Sequence, residues 1–202
     1  MAPSKPTIVL TGFGPFGGYK INSSWVAVKE LADIGLDDDN FNLEVKEISV
    51  EYEVIDKKVP GLWKKHKPLL MVHVGVSGFA QAITLEQLAH NYGYNQTDIK
   101  KKCPKHNCCK RNGEETLKST IDMQDIAESD RVKKSGINVA VSQDPGRYCC
   151  DYIYYTSLSM KQAHTVFIHV PPLNRPYSGN DLALGIKAII TAILERISVQ
   201  HN

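Results

Sequence analysis

Apolar residues in this chain fall into two alternating kinds of block. Short β-branched and aliphatic runs are separated by longer segments whose apolar positions recur every three or four residues, as on a helix face. Residues 7–11 (TIVLT) predict a buried strand, followed by a glycine-rich loop over 12–18. Asn22 and two serines open a helix that runs to Ile34, with Trp25, Val28, Leu31 and Ala32 on one face and Gly35 closing it. Residues 41–50 alternate around Leu43, Val45 and Ile48, the pattern of a half-buried strand. Residues 51–65 predict a helix with Val54, Ile55, Val59 and Leu62 inward, weakened at its centre by Pro60 and Gly61.

The strongest buried-strand pattern is 69–76 (LLMVHVGV), broken by Ser77 and Gly78. Residues 82–89 read equally as strand or helix, and 90–119 is a long polar insertion loop without period. So long a loop inside a compact domain often serves as a lid or binding insertion. A helix over 123–134 ends at Gly136, and a strand over 137–142 follows. The next helix spans about 147–163, with Asp144 as its cap and Pro145 at its first position. A strand over 165–170 is stopped by Pro171 and Pro172, and a closing helix spans 182–198. Strands alternating with helices predict one α/β domain over residues 1–202 with a mostly parallel sheet. Ligands in such sheets gather at the carboxyl ends of strands. The glycine loop, Val76 with its Ser-Gly turn, the turn after 142, and His169 all fall at such ends, although strand order is not written in the pattern.

Composition narrows the classes. The chain has 202 residues, 42% hydrophobic and 23% charged, with a net charge of +2. That is ordinary globular composition, with no charge excess suited to nucleic acid or a membrane surface. The lysines at 100–102 are read as a solvated loop. No apolar run approaches the roughly 20 residues of a membrane span. The first six residues carry no apolar signal segment, and the five cysteines are odd in number. Both point to reduced thiols in the cytoplasm. Monomer and homo-oligomer stay open.

Several motifs offer chemistry. GFGPFG at 12–17 formally matches the dinucleotide fingerprint, which makes a non-catalytic dinucleotide- or small-ligand-binding protein the alternative reading. Against it, the helix starts late and two phenylalanines occupy positions where a pyrophosphate needs close backbone approach. The end of the second strand offers only Glu47 or Glu51, nearer thirty residues on than the roughly 20 expected of a ribose carboxylate, and Phe13 and Phe16 suit a flat, uncharged ligand better. CPKHNCC at 103–109 lacks the paired spacing of a zinc site, so no metal and no cofactor is expected. Glu86 and His90 share a face if 82–89 is helical, and Glu86 is the only acid between Gly75 and Tyr94. Among seven histidines, His73 reads as a core residue and His169 is best placed to serve as a base. SQDPGRYCCD at 142–151 puts Cys149 and Cys150 in the first turns of a helix beside Arg147. Helix N-terminal amides and a nearby cation favour a thiolate. Local pattern alone does not choose between the two cysteines, nor between a nucleophile and a pair of small buried hydrophobes.

Taken in order, these motifs resemble one family. TGFGPFG at 11–17 with NSSW at 22–25, VGVSG at 74–78 with TLE at 84–86, SQDPGRYCCD at 142–151 with YYTSL at 154–158, and FIHVPP at 167–172 are similar to the signatures of the pyroglutamyl-peptidase I family. The cysteine-bearing insertion at 103–109 is similar to the animal branch. The resemblance implies an open three-layer α/β/α sandwich and a cytosolic cysteine exopeptidase acting on N-terminally pyroglutamylated peptides. It places the nucleophile on Cys150, the base on His169 and the orienting acid on Glu86. It places ring-gripping side chains on Phe13 and Phe16, with Asn22, Val76, Tyr148 and Cys149 beside the substrate. Two positions depart from the family pattern: Cys149 stands where an aliphatic residue is usual, and Pro145 where a small one is. Whether Cys149 makes the site redox-sensitive stays open.

Overall fold

The structure is a computed structural model and describes residues 5–18 and 20–199. The strands are Thr7–Phe13 (β1), Asn42–Ile48 (β2), Leu70–Val76 (β3), Ile83–Glu86 (β4), Leu88–His90 (β5), Thr116–Lys118 (β6), Val139–Ser142 (β7) and His164–Val170 (β8). The helices are Ser23–Ile34 (α1), Tyr52–His66 (α2), Met123–Glu128 (α3), Asp130–Lys134 (α4), Cys149–Leu158 (α5) and Gly179–Val199 (α6). Six strands form the central sheet in the order β2-β1-β3-β8-β4-β7, and β5 pairs with β6 beside it. β2, β1, β3 and β8 run parallel, β4 lies antiparallel to β8, and β7 runs parallel to β4.

The apolar runs at β1, β3 and β8 are uniform because both faces of the sheet are covered. Alternate residues supply two separate cores. Leu10, Val72 and Ile168 face α1, α3, α4 and α6, whereas Val9, Met71 and Phe167 face α2 and α5. This is the three-layer α/β/α architecture, with a mostly parallel sheet in the middle. No helix among the described residues is long and apolar enough to cross a membrane.

Four local outcomes differ from the pattern. Residues 82–89 are strand, because Ile83 and Leu85 point into one core while Glu86 takes the other face; Glu86 and His90 then lie in different strands and do not pair as on a helix. The helix predicted over 123–134 breaks at Ser129, whose extended backbone ends α3 and whose hydroxyl accepts from the Val132 amide to start α4. On α1, Ala27 replaces Ala32 on the buried face, and on α6 Leu184 is exposed.

The fourth is the 90–119 stretch, which is held by side chains bonding to backbone instead of by an apolar stripe. Asp98 accepts from the amides of Tyr52, Lys100 and Lys102. Asn91 clasps Lys110 through both its amide group and its carbonyl oxygen. Tyr94, fully buried, packs edge-on against Tyr52 and Tyr152 and thereby ties the insertion to α2 and α5. Polar anchoring of this kind leaves no hydrophobic period to read.

Candidate active site

The register of β8 against its neighbours assembles the polar centre. Thr84 stands opposite His169 and Glu86 opposite Phe167, so Glu86 and His169 are diagonal neighbours on one face, within reach of long side chains. Glu86 Oε1 and His169 Nδ1 lie 2.7 Å apart, and both residues are buried. On the other side of β8, Gly75 stands opposite His169. A methyl group there would lie 2.7 Å from Cys150 Sγ and 2.8 Å from the tip of Phe167. Gly75 therefore leaves the space into which α5 delivers the thiol. A glycine inside an otherwise branched strand is a known mark of such close approach.

Burial opposes a charge on His169, but hydrogen bonds and charge from Cys150 and Glu86 outweigh it and hold the ring's pKa up at about 10. The pair of neighbours thus favours the protonated ring, with Glu86 on one side and Cys150 on the other. A thiol beside an imidazole that is itself bonded to a carboxyl group supplies the parts that nucleophilic acyl transfer requires.

The two adjacent cysteines occupy unlike places, because successive helix residues point about 100° apart. Cys149 is packed in the α2/α5 core, and burial, followed by the neighbouring Cys150, pushes its thiol well above the ordinary range. Cys150 is the one beside Gly75 and His169.

The turn before α5 corrects the expected cap. Asp144 does not cap the helix: its Oδ1 accepts from the Gly146 amide at 3.1 Å and from Arg147, closing the turn on itself, with Gly146 at φ +84°. Pro145 is buried in that turn and does not start the helix. α5 begins at Cys149, its N-cap is Tyr148, and Tyr148 provides no side-chain cap bond. The first-turn amides of α5 therefore have no side-chain cap from Tyr148, and Tyr148, Cys149 and Cys150 line the cavity. Arg147 is held by Asp144 and lies 3.6 Å from the buried Asp151 carboxylate, so the cation at the sulfur is His169. β7 also runs opposite to β8, so the cysteine turn leaves its strand in the opposite direction to the other three features; Ser142, Asp144, Pro145 and Gly146 nonetheless line the same cavity, and α5 packs on β3 and β8.

The glycine loop flanks the other end of the site. Asn22 caps α1 by accepting from the Ser24 amide at 3.1 Å, and its amide group donates to the Gly14 carbonyl at 2.9 Å. Ser24 Oγ accepts from the Phe13 amide. These bonds occupy the donors that a phosphate would use. Phe13, Phe16, Val76 and Tyr148 join Cys150 and His169 around one cavity of about 530 Å³, which Glu86, Asn22 and Cys149 also line. The residues that the family resemblance marks are thus brought to one cavity. Gly75 was missed there, though a lone glycine in a valine-rich strand was its signal; Phe79 and Thr84 also border the cavity.

Other candidates lie elsewhere. His73 is fully buried, bonded through Nδ1 to Thr11, and burial pushes its pKa down to about 3, so it is a neutral core residue. Cys109 sits against Thr156 of α5, while Cys108 approaches the Lys105 carbonyl. Among the described residues, no group of three or more His, Cys, Asp or Glu side chains is arranged to hold a metal.

Comparison with known proteins places the sequence and the fold. The family model for pyroglutamyl peptidase matches residues 6–197. The chain is 44% identical over 195 residues to pyroglutamyl-peptidase 1 of Homo sapiens, covering 96% of this chain and 93% of the relative. It is 32% identical over 171 residues to a pyrrolidone-carboxylate peptidase of Lactobacillus acidophilus, covering 81% of this chain and 82% of that one. Its fold matches pyrrolidone carboxyl peptidase from Thermococcus litoralis with a TM-score of 0.85 at 18% identity, covering 96% of each chain. Sequence and fold match over nearly the whole length, and the chain belongs to the pyroglutamyl peptidase family.

Proposed function

We propose that this chain is a cysteine peptidase that hydrolyses the amide bond after an N-terminal pyroglutamyl residue of peptides. The observation that carries the reading is the buried Glu86–His169 pair, which shares its ring with Cys150 at the cavity floor. Pyroglutamate is a lactam without an ammonium group, so apolar faces and a few hydrogen bonds suffice to hold it. Phe13 and Phe16 flank its ring, Val76 and Tyr148 close the pocket, and Asn22 holds the loop that carries the phenylalanines. Cys149, packed behind the site, shapes its wall.

Cys150 sulfur attacks the pyroglutamyl carbonyl carbon. The resulting oxyanion is held by the uncapped amides at the start of α5, where each such donor is worth about 3 kcal/mol in comparable sites. The imidazolium of His169 protonates the departing amine, the C–N bond breaks and a thioester remains. Water then attacks the thioester while His169 takes its proton, releasing pyroglutamate and the thiol. Glu86 fixes the ring's orientation and balances its charge. We place the reaction in the cytoplasm, because all five cysteines are free thiols.

Cleavage of a fluorogenic pyroglutamyl amide tests the assignment. Cys150→Ala is expected to lose activity by at least about 10³-fold, while Cys149→Ala stays within about threefold. Persistent turnover by Cys150→Ala sinks the reading.

A further inference from the structure

One connection between strands borders the cavity and takes no part in the proposed chemistry. β3 and β4 are consecutive in sequence but not neighbours in the sheet, because β8 lies between them. The connection over 77–82 must therefore pass across the carboxyl end of β8, directly above His169. Its seat is visible: the Ser77 amide donates to the Val170 carbonyl at 2.9 Å, and the Ala80 amide donates back to Ser77 at 3.2 Å. That turn holds Phe79 out at its tip, 99% exposed, yet on the rim of the same cavity as Cys150 and His169. A full aromatic ring left in water beside a reactive cavity is apolar area that a molecule bound there would cover.

Sheet order sets the direction of the substrate. Phe13 ends β1 and Phe16 follows it, on one side of the β3–β8 centre, while Thr84 and the Pro145 turn lie on the other. An acyl group gripped on the β1 side, with its carbonyl at Cys150, sends its amide nitrogen past His169 and its next residue under the 77–82 connection. From this we infer that Phe79 is a specificity-determining residue: its ring packs on the side chain that follows pyroglutamate, so the chain prefers peptides with an apolar residue there. The inference rests on the pyroglutamyl-peptidase reading above and adds the substrate class of the leaving side.

The test is a kcat/KM series on pyroglutamyl peptides that differ only in the second residue, leucine, phenylalanine, glycine or aspartate, with wild-type protein and Phe79→Ser. The substitution is at a fully exposed side chain and leaves the core intact. Wild type is expected to favour leucine and phenylalanine over glycine by about tenfold, a contact of ordinary apolar size. Phe79→Ser is expected to reduce that preference to about twofold or less, while its rate on the glycine peptide stays within about twofold of wild type. An unchanged preference, or an equal fall on every peptide, overturns the inference and leaves the parent reading standing. So does sedimentation showing that Phe79→Ser only turns a dimer into a monomer with the preference intact. Wild type that cleaves none of the four peptides overturns the parent reading, and this inference with it.

Discussion

Two helix N-termini flank the cavity, and their differences separate scaffold from chemistry. Both α1 and α5 abut a strand that bears a glycine at the contact. At Gly12, an added methyl would meet backbone: Trp25 Cα at 2.8 Å and Ser24 oxygen at 2.9 Å. At Gly75, it would meet the Cys150 sulfur and the tip of Phe167. α1 is closed by Asn22, whose side chain is bonded at both ends, whereas α5 has Tyr148 at its cap and no side-chain bond. The glycine-rich loop that formally resembles a phosphate cradle is therefore the sealed end, and the less conspicuous cysteine turn is the open one. A motif's spacing tells where backbone must come close; the cap tells whether its donors are free to act.

Closing the open end is the strongest way to break this contrast. Tyr148→Asp puts a capping carboxylate over the α5 amides and a negative charge beside the sulfur. Activity on the fluorogenic amide is expected to fall by about 10²- to 10³-fold. Denaturant unfolding is expected to move by no more than about 1 kcal/mol, because a cap gained offsets ring packing lost. Retained activity would show that the oxyanion is held elsewhere.

The paired glycines sharpen the contrast further. In Gly75→Ala the Cys150 sulfur can rotate away while the buried Phe167 ring must shift, so turnover is expected to fall about 10- to 100-fold through misplacement of the nucleophile, with a stability loss of about 1 kcal/mol. In Gly12→Ala the obstacle is backbone, so stability is expected to fall by about 1–3 kcal/mol, measured by urea unfolding. Its turnover per folded molecule changes far less. Equal activity losses in the two variants would contradict the division into scaffold and reactive ends.

The smallest effect concerns pH. His169 is held up at about 10, so as pH rises through that value the imidazolium is lost and the alkaline limb of kcat/KM should fall there. Glu86→Gln removes one of the interactions that raise the ring, and should move that limb towards neutrality in a pH–rate profile. A limb that does not move would remove Glu86 from the account.

Much of this was legible from residues alone. The β-branched runs at 7–11, 69–76 and 165–170 announced a sheet buried on both faces, and both cores confirm it. The Asn22 cap and the Gly35 stop bounded α1 because both act locally. What stayed hidden depended on partners distant in sequence. The reversal of β4 and β7 is a matter of strand order, and it makes Glu86 a diagonal neighbour of His169 instead of a helical partner of His90. Asp144 resembled a cap because the pattern did not reveal that Gly146 and Arg147 claim its oxygen first. The insertion over 90–119 read as a loop because its order rests on Asp98, Asn91 and Tyr94, each satisfied by a specific neighbour and none by periodicity.

The central claim is that the sulfur of Cys150, and not that of its buried neighbour, becomes acylated during turnover. Acid quenching of wild-type protein during hydrolysis of a pyroglutamyl ester, followed by proteolysis and mass spectrometry, reads this directly. The account predicts a pyroglutamyl group on Cys150, absent from Cys150→Ala. Acylation found on Cys149, or continued turnover by Cys150→Ala, would contradict it.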